Sequence, residues 1–189
     1  MPSALQQTPS ATRVVNQLHG TELRWFAVNT RSKSEKFVQR MLTKKGIHAW
    51  LPVQKLLRRY TRSTRWVEKP LINSYVFVKI VKDQYVPVLE TENVAGFVKF
   101  SKELVAIPEA EIDLLKRITL EDGLDVEAVP GVLAEGDPVE IAAGNLMGLK
   151  GRIVKSEGKR KFQVELQYLF HSLLITVDAV FLERTQLRV

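Results

Sequence analysis

The chain has no cysteine, which removes disulfides, thiolate metal ligands and a thiol nucleophile together and suits a reducing compartment. Histidine is scarce: His19, His48 and His171 are isolated, without the HxxxH or His-carboxylate spacing of a zinc site. No P-loop, GxGxxG or GxSxG stretch occurs. The one acidic group resembling a carboxylate site, Glu121, Asp122 and Asp125, lies in a glycine-containing segment poorly preorganised for catalysis. An enzyme is therefore not expected, nor a metal or organic cofactor. There is also no run of about 18 apolar residues, and the first twenty lack the apolar core of a secretory signal. The expectation is a cytoplasmic monomer that does not engage a membrane.

What is present is a balance suited to a globular core, 45% hydrophobic and 26% charged, with a net charge of +7 that is unevenly spread. Between Arg24 and Tyr75 stand 13 Lys or Arg residues against only Glu35 and Glu68. From Val76 to Pro130 the balance reverses to 6 basic and 11 acidic residues, and beyond Pro130 it is 8 against 7. Positive charge concentrated in one segment suits a polyanion or an acidic partner, since such a field steers encounter and phosphate contacts release counterions.

Residues 1–22 are polar, aperiodic and proline-containing, and read as a flexible leader. Trp25-Phe26-Ala27-Val28 reads as a buried strand. A helix follows, with Ser32 and Glu35 as a capping box and Gly46 as its stop. Phe37, Val38, Met41 and Leu42 share one face of that helix, while Lys36, Arg40 and Lys44 line another. A strand is expected over 47–53. Gln54 to Lys69 reads as a protruding hairpin or loop, in which Lys55, Arg58, Arg59, Arg62, Arg65 and Lys69 interleave with Tyr60 and Trp66. Tyr75 to Ile80 alternates, with Val76, Val78 and Ile80 on one side and Tyr75, Phe77 and Lys79 on the other. A short helix near 83–90, strands near 96–100 and 103–107, and a helix opened by Pro108 complete an α+β domain over 23–118. An acidic linker spans 119–132, and short strands over 133–189 favour a small barrel.

Gly136-Asp137-Pro138-Val139-Glu140-Ile141, followed by Gly144-Asn145-Leu146-Met147-Gly148-Leu149-Lys150-Gly151-Arg152-Ile153-Val154, resembles the KOW motif of a small SH3-like barrel. Upstream, Trp25-Phe26-Ala27-Val28, the helix ending at Gly46, Leu51-Pro52, Lys69-Pro70-Leu71 and Tyr75-Val76-Phe77-Val78 resemble, in that order, the N-terminal (NGN) domain of the NusG family. The Pro-Leu to Tyr-x-Phe-Val stretch is most similar to the RfaH and UpxY type of paralogue. Two departures stand out: Asn73-Ser74 replaces the family's usual turn residues before the tyrosine, and His171-Ser172 stands where many members have Gly-Arg.

The resemblance implies an α+β NGN domain, an antiparallel sheet with helices, followed by a KOW barrel, and a role in transcription elongation and antitermination. It implies binding to the β′ clamp helices of RNA polymerase through Tyr75, Phe77 and Phe97. Lys33, Lys36, Arg40 and Lys44 on the helix, and Arg58, Arg59, Arg62 and Arg65 on the hairpin, would contact DNA of the transcription bubble. Met147 and Leu149 would meet a partner of the barrel, such as ribosomal protein S10 or a termination factor. By the UpxY likeness the expected targets are specific operons, such as those for surface polysaccharides. A housekeeping NusG, or a ribosome-associated RNA-binding KOW protein, is the alternative.

Overall fold

In a computed structural model, the described residues are 16–100, 102–131, 136–156, 159–169, 171–176 and 181–184. Residues 1–15 of the expected leader lie outside them.

The first sheet is antiparallel, in the order β2-β5-β1-β6, from β1 (Arg24–Thr30), β2 (His48–Trp50), β5 (Tyr75–Ile80) and β6 (Val94–Phe97). One face carries Phe26, Val28, Val76, Val78 and Ile80, closed by Val38 and Leu42 of α1 (Glu35–Lys44) and by Val88 of α2 (Tyr85–Leu89). The period-two and helical patterns meet in this core, as expected from sequence. At the end of α1 Gly46 has φ of 73°, a left-handed position suited to glycine. The capping box is not formed: the helix is capped at Ser34 without a side-chain hydrogen bond. The buried Glu35 carboxylate instead accepts the Ser74 N–H at 2.7 Å. That bond holds the turn before β5, where Ser74 takes φ of 61°.

The basic segment folds as a two-stranded hairpin, β3 (Val53–Tyr60) and β4 (Ser63–Pro70). Residues 103–107 form bridges rather than the expected strand. They dock the end of the supposed leader: Gln17 donates its N–H to Leu104 O, and its side-chain oxygen accepts the Ala106 N–H. A polar segment without hydrophobic period is thus held through its backbone and one amide.

The second sheet has the order β12-β8-β9-β10-β11-β7. It is built from β8 (Asp137–Ile141), β9 (Lys150–Ser156), β10 (Lys159–Leu166), β11 (His171–Ile175) and β12 (Leu182–Arg184), with β7 (Val126–Pro130) on its far edge. Among the described residues β7 and β12 do not pair with each other. β7 falls inside the segment expected to be a linker; it pairs with β11 from Val126↔Ile175 to Pro130↔His171. Between the sheets lies α3 (Glu109–Thr119), with Ile112, Leu115 and Ile118 buried.

Candidate functional site

The outer face of the first sheet carries Trp25, Ala27, Trp50, Tyr75, Phe77 and Lys79, because β1 and β5 pair Ala27 with Phe77 and Trp25 with Lys79, and β2 sets Trp50 opposite Phe77. Trp50 packs on Phe77 at 5.6 Å between ring centroids, and Trp25 meets Trp50 edge-on at 6.5 Å. At one end the Trp25 indole N–H and the Lys79 ammonium both donate to Glu109 of α3.

This face is covered. Phe77 is 0% exposed and belongs to one buried cluster with Ile112 and Leu115 of α3, Leu166 and Leu173 of the second sheet and Leu169 in the turn between β10 and β11. Tyr75 is half-buried, and burial raises its phenol pKa above 10.0. Its ring meets the ring of His171. His171-Ser172, one of the two departures from the family pattern, is therefore placed where the second sheet meets the first. Neighbouring Ser172 is fully buried and donates to the Gly131 carbonyl.

Phe97 does not join Tyr75 and Phe77. Its register partner is Val28, which is also opposite Val76, so Phe97 lies on the helix-covered face. There it is 7% exposed and stacks on Tyr85 at 4.6 Å. The strand pattern alone could not fix this, since the face of β6 is set by register with β1.

A buried carboxylate lies at the same junction. Glu111 of α3 accepts the Tyr168 N–H at 3.3 Å through one oxygen, while the other has no hydrogen-bond partner among the described residues. Burial pushes its pKa up to about 7, opposed by the Tyr168 bond and reinforced by Glu165. Sequence reading missed this residue, because an acidic side chain in the first turn of a helix reads as a surface charge favoured by the helix dipole.

The loop expected to meet a partner of the barrel is divided. Met147 is 61% exposed, whereas Leu149 is partly buried against the core. The backbone of this loop is tied to α3: the Arg117 guanidinium donates to the Asn145 and Met147 carbonyls, and Asn145 donates to Glu121.

Lys33, Lys36, Arg40, Lys44, Arg58, Arg59, Arg62 and Arg65 are all exposed. Lys36 bridges to Glu68 of β4 at 2.8 Å and holds that carboxyl below its usual range, so the helical row and the hairpin meet there. Arg40 lies over the Phe37 ring at 5.9 Å. On the hairpin Arg58 is directly opposite Arg65, a like-charge arrangement that is destabilising across strands.

Residues 23–116 match the model of the family described as "Transcription termination factor nusG". Those residues form a NusG-family domain. Two curated relatives, the "Transcription termination/antitermination protein NusG" of Streptococcus pyogenes serotypes M3 and M1, are each 26% identical over 148 residues, covering 72% of this chain and 82% of the relative. A solved structure described as "Domain interaction in Thermotoga maritima NusG" is 20% identical and has a TM-score of 0.53, covering 87% of this chain and 98% of that one. That likeness supports the fold, an N-terminal sheet with helices followed by an all-β domain. No helix among the described residues is long and apolar enough to cross a membrane.

Proposed function

We propose that this chain is a transcription elongation and antitermination factor that binds the β′ clamp helices of RNA polymerase through the Tyr75 and Phe77 face. The observation that carries this is the aromatic face itself. It is one apolar surface of the family-matched sheet, distinct from the Phe26 core, and it is covered by α3 together with residues of a second, separately hydrogen-bonded sheet. A surface buried this way can exchange one apolar partner for another, whereas the Phe26 core cannot without unfolding the domain. Binding polymerase then requires the second sheet to move away from Tyr75 and α3 to uncover Phe77.

In this reading the basic helix and hairpin face DNA of the transcription bubble, and the second domain recruits a partner such as ribosomal protein S10 or a termination factor through the loop bearing Met147. Release from α3 would also free that loop from Arg117. The Pro70-Leu71 to Tyr75-Val76-Phe77-Val78 stretch, together with the crowded hairpin charge, favours a specialised factor of the UpxY type acting on particular operons.

Co-purification with core RNA polymerase tests the reading, comparing the parent chain with Tyr75→Ala/Phe77→Ala after its circular dichroism has been checked. Loss of binding in a folded variant is the expected result. Failure of the parent chain to bind under any ratio of components would overturn it.

A further inference from the structure

The chain that leads from α3 to the second sheet is laid along the base of the hairpin. The Gly123 N–H donates to the Lys55 carbonyl of β3 at 2.9 Å, and the Lys55 ammonium stands 3.9 Å from the Asp122 carboxylate. One residue back in β3, the Gln54 side-chain Nε2 donates to the Val126 carbonyl at 3.1 Å. Gln54 is 4% exposed, and its own side-chain oxygen has no hydrogen-bond partner among the described residues. A buried amide with one end unsatisfied weakens the domain that contains it. What it supplies in return is the bond to Val126, the first residue of β7.

The same short segment is held from the other side. Val126 pairs with Ile175 of β11, and the Asp125 carbonyl accepts the Thr176 N–H at 3.0 Å. Asp122, Gly123 and Val126 are therefore tied to the hairpin of the first domain, and Asp125 and Val126 to a central strand of the second. Gly123 makes the crossing possible: its φ of 80° is a left-handed position that a side chain disfavours, and the edge of the Trp66 ring lies 3.9 Å from where a Cβ would stand. With Gly123 and Val126 both bonded to β3, β7 starts against the hairpin, and β11 is carried with it. No free chain is then left for the second sheet to move away on.

We propose that Gln54 and Lys55 form a clasp on the chain joining the two domains, and that the second sheet leaves the first only when this clasp opens. The clasp is a property of the isolated chain; its consequence for transcription rests on the reading that polymerase binding requires the second sheet to leave Tyr75. In it Gln54 is a positioning residue, acting on the aromatic face through β7 and β11 without touching it.

Amide hydrogen exchange of the full chain, without polymerase, tests this, since each amide reports the opening that exposes it. The Gly123 amide reports the clasp, and the Tyr168 amide, bonded to Glu111 across the junction, reports separation of the second sheet. Gln54→Leu is expected to speed both about fivefold, the loss of one buried hydrogen bond. It removes the unsatisfied oxygen together with the donor, so the amides of β1 and β5 are expected to keep their parent rates. Gly123→Ala is expected to speed the Tyr168 amide about fivefold as well, through the left-handed penalty less the stiffening of the released chain. Gly123→Asn should stay within about twofold of the parent, because Asn tolerates that conformation. Faster exchange at Gly123 without faster exchange at Tyr168 would overturn the proposal, as would a parent Gly123 amide exchanging like an unbonded one, or Gly123→Asn behaving like Gly123→Ala. Polymerase co-purification is scored separately: faster Tyr168 exchange with unchanged polymerase binding leaves the clasp standing and counts against the Tyr75 reading, whereas unchanged exchange in Gln54→Leu sinks the clasp alone.

Discussion

The Tyr75 ring meets the His171 ring edge-on, 5.3 Å apart between centroids, across the junction of the two sheets. The imidazole is fixed there by its Nδ1, 2.6 Å from the Leu169 carbonyl oxygen. A residue proposed to touch polymerase is thus already in contact within its own chain, so intramolecular and intermolecular contacts compete for one ring.

His171→Ala removes that competitor. An aromatic pair contributes about 0.5–1.5 kcal/mol beyond its buried area, so apparent polymerase affinity should rise between about twofold and tenfold, read by titration of labelled chain with core enzyme. Unchanged or weaker binding would show that Tyr75 is not held back by this contact.

Glu111 makes the junction sensitive to pH. Its carboxyl is raised from 4.5 to about 7 by burial, so the folded chain retains a proton that the unfolded chain releases near 4.5. The resulting stability is fully present below 4.5 and is lost as pH rises through 7. The span corresponds to at most about 3 kcal/mol. Thermal unfolding of the parent should therefore shift down between pH 5.5 and pH 8 relative to Glu111→Gln, which keeps the neutral shape and lacks the titration. Parallel profiles for the two proteins would refute the assignment.

Ser74 holds a left-handed φ of 61°, which disfavours a Cβ by roughly 1–2 kcal/mol. Ser74→Gly should raise the urea midpoint by about 1 kcal/mol of stability, part of the strain relief being lost to the more flexible unfolded glycine. Glu35→Ala should do the reverse, since it leaves the Ser74 N–H without its acceptor at a cost of about 1–3 kcal/mol.

Gly151 is required for a different reason. A Cβ there would stand 2.3 Å from the Gln163 carbonyl oxygen and 2.6 Å from the Phe162 ring, so backbone of β10 would have to move. Gly151→Ala should destabilise the second sheet by about 1–3 kcal/mol. Chemical-shift changes confined to β8–β11 would locate the damage; an unaltered melting curve would contradict the packing.

Local pattern made much of the fold legible. Alternation in Tyr75 to Ile80 separated its two faces, the spacing of Val38 and Leu42 marked the buried side of α1, and charge density between Gln54 and Lys69 marked the hairpin. What sequence could not supply were relations between distant segments. Its place in the following strand puts Phe97 with Phe77, but pairing with Val28 turns it to the other face. Gln17 docks through hydrogen bonds that leave no hydrophobic signature, and Glu35 serves a turn far along the chain rather than its own helix end. The aromatic face of β5 was legible as a contact surface, yet nothing local indicated that the chain's own second sheet would occupy it.

The strand β7 sets how far the two sheets can separate. While Val126 to Pro130 remain paired with β11, the only slack lies in residues 120–125, which reach about 20 Å when fully extended. If β7 peels away, the whole chain between α3 and β8 becomes available and the reach more than doubles, past about 40 Å. The edge strand works as a reel: unzipping a few hydrogen bonds and withdrawing Val126 from the buried cluster changes the volume that the second domain can search for a partner.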